Sequence, residues 1–172
     1  MTMPPIDDDD DDGHDEFVEY FYAQNLALAI HEAGHAAVAR ALGADVAFVE
    51  IDMATGDGKS NSCIFDDETK NIAVCVAGCR AEHLFNARSP RATKMGDFRA
   101  MRKMLARIPE AERRAARAEG YRLADGMLKA NADVVRRIAD ALLSRQFSFS
   151  ARLDGAELAA LLAGAGEVSN CQ

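Results

Sequence analysis

No apolar run in this sequence approaches the ~20 residues that a membrane-spanning helix needs. The opening stretch MTMPPIDDDDDD has neither the basic start nor the apolar centre of a secretory signal. These two absences set the expectation of a cytoplasmic protein with no membrane partner. Glycine-rich phosphate loops and internal repeats are missing too, so nothing points to a bound nucleotide or a repeat array. Positive charge is in deficit. Lys and Arg number 20 against 28 Asp and Glu, and the net charge of −8 argues against nucleic acid as a partner. Cysteine is sparse, and the scattered Cys63, Cys75, Cys79 and Cys171 read as reduced thiols. Cys75 and Cys79 are spaced to share a metal on a helix, but no second cysteine pair completes such a site. They read as small buried side chains. Histidine is scarce as well, with four in 172 residues.

Two of those histidines stand four apart, in LALAIHEAGHAAVARALG. On a helix, residues four apart lie about 40° apart around the axis, so His31 and His35 project from one face and can share one zinc ion. Glu32 points about 100° away from His31, toward the flank of the metal. There it can take a proton from an activated water and return it to a leaving amine. This is the H-E-x-x-H arrangement of zinc peptidases. A histidine pair on an apolar helix can also be a pair of core side chains with satisfied nitrogens; the scarcity of histidine and the glutamate between them favour the metal. The flanking alanines and leucines form helix readily, and Gly43 is the expected stop.

The rest of the chain organises around that helix. Residues 1–13 read as a disordered acidic arm, because the like charges of Asp7 to Asp12 repel, and 14–172 read as one domain. Helix is expected from Asp15, as its cap, to Leu42, with Ala23–Asn25 the place for an interruption and Phe17, Tyr20 and Phe21 as one apolar face. Val46 to Met53 alternates, with Ala47, Val49 and Ile51 against Phe48, Glu50 and Asp52. That predicts a strand, followed by a turn over ATGDGKSN and a returning strand at SCIF. An exposed edge there could bind a peptide as an added strand. A buried helix starts at Asp66 to Thr69 and carries Glu82 and His83. ARSPRATKMG reads as a loop, and Asp97 opens the next helix, which Pro109 ends. From Glu110 to Arg145 the pattern predicts one long helix or two with a kink near Gly120–Gly126. Ala115, Leu123, Met127, Leu128, Val134, Val135, Ile138, Leu142 and Leu143 form its core side. QFSFSAR reads as a connector, and Asp154 with Glu157 as a capping pair opening a last short helix. Arg99, Arg102, Lys103, Arg107, Arg113, Arg114 and Arg117 read as a solvated basic face on which the acidic arm could dock. The fold class is mainly α with a small β-hairpin or sheet.

A catalytic zinc needs three protein ligands and an open position. The extended H-E-x-x-H-x-x-G-x-x-H pattern is absent, since Val38 and Ala41 occupy the two later positions. Glu82, His83 and Asp97 are the candidates.

HEAGHAAVA, followed by a hairpin, by VAGCRAEHLF and by MGDFRAM, resembles the peptidase domain of FtsH-type proteases, the M41 family. LKANADVVRRIADALLSRQFSFSARLDGAELAALL is similar to that family's closing helices, and the resemblance spans roughly residues 25–163. It implies a zincin-like domain with an H-E-x-x-H helix and a C-terminal helical bundle. It implies Zn2+ held by His31, His35 and Asp97, with Glu32 as the catalytic base. Departures are visible. FtsH enzymes carry a membrane anchor and an AAA+ ATPase module, and no Walker A sequence occurs here. His83 replaces a residue that is usually acidic in the family, and Cys79 stands where its GGR segment has arginine, with Arg80 next. The expected activity is that of a zinc metalloendopeptidase, ATP-independent as a single chain, acting on peptides or unfolded proteins. A separate ATPase partner and a homo-oligomer stay open. The alternative is a catalytically silent M41-like binding or adaptor protein; the presence of Glu32 beside the histidine pair favours catalysis.

Overall fold

The computed structural model describes residues 12–89, 91–145 and 150–166. The histidine pair lies on α1 (Asp12–Ala41), a single unbroken helix of 30 residues. It starts earlier than Asp15, so Asp15 is no cap and the helix takes in the last two residues of the expected arm. It also runs through Ala23–Asn25, because no glycine or proline interrupts that stretch. Acidic residues suit this end of a helix dipole. From Ala27 to Ala39 nearly every side chain is buried, as expected of a helix enclosed on all sides. Small residues make this enclosure compact: a Cβ on Gly34 would lie 2.6 Å from Ala81 Cβ on the facing helix. Among the side chains described, Asn25 is the first buried one, and residues 18–23 before it are exposed. Tyr20 and Phe21 are therefore exposed rather than packed as an apolar face, and the Phe17 side chain lies outside the described residues. Residues 1–11, which hold most of the acidic arm, also lie outside, as does Cys171. Gly43 ends the helix at φ +95°, and the Ala44 N–H closes the last turn onto Ala39 O.

The small sheet has three antiparallel strands in the order β2-β1-β3, made by β1 (Val46–Asp52), β2 (Asp57–Ser62) and β3 (Ser150–Asp154). Two expectations fail here. The returning strand is DGKSNS, not SCIF, because Gly56 at φ +73° completes the turn early. β2 is polar because it is an edge strand with every second residue exposed. QFSFSAR is no simple connector either. Its last three residues enter β3, where Ala151 and Leu153 are buried beside Ile51 and Val49. Ala47 is exposed, against the expected alternation, because the register shifts between Val46 and Phe48 and turns it outward.

α2 (Glu68–Leu84) is capped by the Asp67 carboxylate, which accepts from the Thr69 and Lys70 N–H groups. It packs along α1 and along α4 (Glu110–Ala130). α3 (Arg91–Arg107) includes most of the expected loop, since Ala92, Lys94 and Met95 are good helix formers; Asp97 sits inside this helix and does not open it. α3 is the most loosely held helix near the site: Met101 is its one buried residue among those described, and it packs mainly on α2. The break before α5 (Ala132–Leu143) falls at Asn131, not near Gly120–Gly126. The buried Asn131 side chain bonds Met127 O and both backbone groups of Gly166. Ala115 is exposed and Leu123 half-buried, while the other expected residues of that face are buried. α6 (Gly155–Leu162) follows β3 and docks through Leu158 and Leu162. Its expected capping pair does not form. The Asp154 side chain makes no cap bond, and Glu157 is drawn instead to Arg145. The arginines and lysine of the basic face are exposed apart from the half-buried Arg113. Among the described residues, no helix is long and apolar enough to cross a membrane.

Candidate metal centre

Two helices bring three donor atoms to one point. α1 supplies His31 and His35, and α3 supplies Asp97. His31 Nε2 lies 3.1 Å from His35 Nε2 and 3.0 Å from Asp97 Oδ2, and His35 Nε2 lies 3.3 Å from the same oxygen. A tetrahedral metal with bonds of about 2.0–2.1 Å spaces its ligand atoms about 3.3–3.4 Å apart, so the triangle has the size such an ion needs.

The other side of each imidazole sets its proton. His35 Nδ1 is 2.7 Å from Val74 O, on α2, which can only accept. His31 Nδ1 is 2.7 Å from Glu82 Oε1. Both Nδ1 atoms therefore donate, and in the neutral rings both Nε2 atoms are bare lone pairs. Two lone pairs and a carboxylate oxygen then converge, which is unfavourable unless a cation lies among them. Two nitrogens and one oxygen suit zinc and its neighbours in the first transition row.

Of the three candidates for the third ligand, the fold brings Asp97 to the cluster. Glu82 lies behind His31 and orients it, and His83 is exposed on the outer side of α2. Glu82 is only 2% exposed, yet all its lone pairs are used. Oε1 accepts from His31 and the Ser89 hydroxyl, and Oε2 from the Ser89 N–H and Lys94 Nζ. Burial by itself raises the Glu82 pKa, but these bonds outweigh it and hold it at about 2. Burial likewise raises Asp97 and is overridden by the two imidazoles, which hold it well below the usual carboxylate range. Burial lowers His31, but its bonds to Asp97 and Glu82 win and raise it to about 9; His35 is raised for the same reason, through Asp97. Cys75 is not part of the cluster. Burial pushes its thiol up to about 12, and Sγ donates to Asp97 O at 3.0 Å, tying α3 to α2. Cys79 is half-buried, and burial pushes it up to about 11.

The raised His31 pKa gives a prediction. A proton and a metal compete for Nε2, and below about pH 9 the proton is held. Zinc affinity should rise by at least about tenfold per pH unit between pH 6.5 and 9, since the raised His35 gives up a proton as well. Competition against a chelator of known pH dependence measures this; an affinity constant from pH 6.5 to 8 would contradict it. The metal-free protein should show the opposite trend in stability. The His31 contribution is fully present below pH 6.5 and lost as pH rises through about 9.

Glu32 is 4% exposed and shares a cleft of about 350 Å³ with His35 and Asp97. The cleft runs between the β2 edge and α3, with Val74 and Cys75 of α2 among its lining residues. Burial raises the Glu32 pKa; the charges of His35 and His31 and a bond from the Ser60 side chain oppose it, and the net shift is upward. A raised pKa makes the carboxylate a stronger acceptor for a proton from water.

Two glycines make room for these side chains, and the sequence reading did not single them out. A Cβ on Gly78 would lie 2.5 Å from His31 Nε2, and one on Gly58 would lie 2.6 Å from Glu32 Oε1 and Cγ. The available signal was positional, because glycine inside a helix or strand pattern marks a close approach. No protein-family model and no curated protein matches this chain, so the functional reading rests on the residues and their geometry.

Proposed function

We propose that this chain is a zinc metallopeptidase that hydrolyses peptide bonds in peptides or unfolded proteins, with an M41-like, zincin-type domain. The observation that carries the reading is the convergence of His31 Nε2, His35 Nε2 and Asp97 Oδ2 beside a buried Glu32 in an open cleft. A zinc ion held by those three residues would act as a Lewis acid, lowering the pKa of water and polarising the scissile carbonyl. Glu32 takes a proton from the attacking water as its oxygen adds to the carbonyl carbon. It then delivers that proton to the amine nitrogen as the C–N bond breaks. Val74 O and Glu82 keep the two Nδ1 protons in place, so both rings face the metal in one tautomer.

The β2 edge supports an extended substrate. Gly58, Lys59, Ser60 and Ser62 line the cleft, and the outer side of β2 has no strand partner among the described residues. A peptide added there would pair with β2 through its backbone, which suits unfolded chains of varied sequence.

The test is incubation of the zinc-loaded chain with an unfolded protein and a mixed peptide pool, with and without a chelator. Cleavage that the chelator abolishes and zinc restores is expected. Absence of cleavage by protein carrying its zinc would contradict autonomous catalysis and favour a binding role or a separate ATPase partner. A finer prediction concerns Gly58→Ala, whose added methyl displaces the Glu32 carboxylate. Activity should fall by about a hundredfold while zinc affinity is retained, since a shift near 1 Å in a reacting group costs that much. Full activity in that variant would contradict the role given to Glu32.

A further inference from the structure

α3 meets the metal centre twice. Asp97 places Oδ2 3.0 Å from His31 Nε2. Lys94, three residues earlier and on the same helix face, places Nζ 2.7 Å from Glu82 Oε2. Glu82 in turn accepts from His31 Nδ1 through Oε1. One imidazole is thus held at both nitrogens by one helix, directly at Nε2 and through Glu82 at Nδ1.

We infer that Lys94 is a positioning residue for the metal centre: by holding the Glu82 carboxylate it fixes the orientation of His31 and so sets how tightly the cluster binds its metal. The inference rests on the metal reading above. Its basis is the set of partners around a carboxylate that is 2% exposed. Ser89 offers a hydroxyl to Oε1 and an N–H to Oε2, and both are neutral dipoles. Lys94 gives Oε2 its one full positive charge, and a buried carboxylate without such a charge is costly. Without Lys94, Oε2 keeps one neutral partner at 3.0 Å. The terminal torsion of a glutamate is broad, so the carboxylate can then swing Oε1 away from Nδ1. Outer partners of this kind govern metal affinity by orienting the ligand ring. The Lys94 side chain is 26% exposed, so replacing it opens no core cavity.

The test measures zinc affinity, by competition with a chromophoric chelator at fixed pH, for Lys94→Ala, Lys94→Gln and Lys94→Arg. Each is made in the wild-type chain and with Glu82→Gln, and the visible spectrum of the cobalt-loaded forms is recorded. Lys94→Ala and Lys94→Gln should weaken zinc by about tenfold or more and shift the cobalt spectrum. Lys94→Arg should stay within about threefold of wild type, because a guanidinium also reaches the carboxylate. With Glu82→Gln in place, Lys94→Ala should add less than about twofold, the mark of two residues acting as one unit. Unchanged affinity in both Lys94→Ala and Lys94→Gln would overturn the inference, as would equal losses in both backgrounds. A wild-type chain that binds no zinc would overturn the metal reading itself, which is a separate result.

Discussion

Replacing Glu32 with glutamine is expected to lower peptide-bond cleavage by about 10²–10⁴-fold while one zinc per chain stays bound. The substitution keeps the size and shape of a side chain that is only 4% exposed and that lies against Gly58, so the cleft should hold its form. What is lost is the ability to accept a proton. Metal binding should survive, because the cluster atoms belong to His31, His35 and Asp97, not to Glu32. Zinc content by atomic absorption and turnover of a cleaved peptide, measured on the same preparation, check both halves. Equal activity in the variant would remove Glu32 from the mechanism. Loss of zinc together with activity would place it among the ligands.

Asp97→Ala is expected to weaken zinc by about a hundredfold or more, beyond the 10–100-fold typical of outer partners. Two imidazoles remain, each still oriented by its Nδ1 bond, but the triangle loses the oxygen that lies 3.0 and 3.3 Å from the two nitrogens. The substitution also unties α3 from α1. α3 keeps two other tethers near the site, the Cys75 bond to Asp97 O, which uses the backbone, and the Lys94 bond to Glu82. Competition with a chelator gives the affinity. Hydrogen exchange along α3 should rise in the variant, and in chelated wild type, since this helix has little buried surface of its own. Unchanged affinity in Asp97→Ala would remove it from the ligand set.

The histidine pair and Glu32 were legible because a helix turns a four-residue spacing into a shared face, and that geometry is local. Asp97 was not legible from spacing. It reaches His31 across 66 positions, and Glu82, His83 and Asp97 were equal on residue type alone. The fold separates them by direction: Glu82 meets the back of His31, His83 faces outward, and Asp97 enters from α3. The two misread strands share one cause. β2 is a polar strand whose identity comes from pairing with β1, and Ser150–Asp154 becomes a strand by the same pairing from the other side. Both depend on partners distant in sequence, which local propensity cannot see. Asn131, rather than a glycine, divides α4 from α5 because its side chain takes over backbone bonds at the junction, including those of Gly166. The exposed Tyr20 and Phe21 show the converse. Their helical spacing was visible, but both side chains stay exposed, ahead of the buried stretch that runs from Ala27 to Ala39.

The most direct test of the central claim is X-ray absorption at the zinc edge on chain loaded with one equivalent of zinc. The proposed centre predicts only nitrogen and oxygen neighbours at about 2.0–2.1 Å, with the multiple-scattering pattern of two imidazoles and no sulfur. Loss of the oxygen shell and weakening of the signal in Asp97→Ala would complete the assignment. A sulfur neighbour at about 2.3 Å, which would bring in Cys75 or Cys79, or a chain that retains no zinc at all, would contradict it.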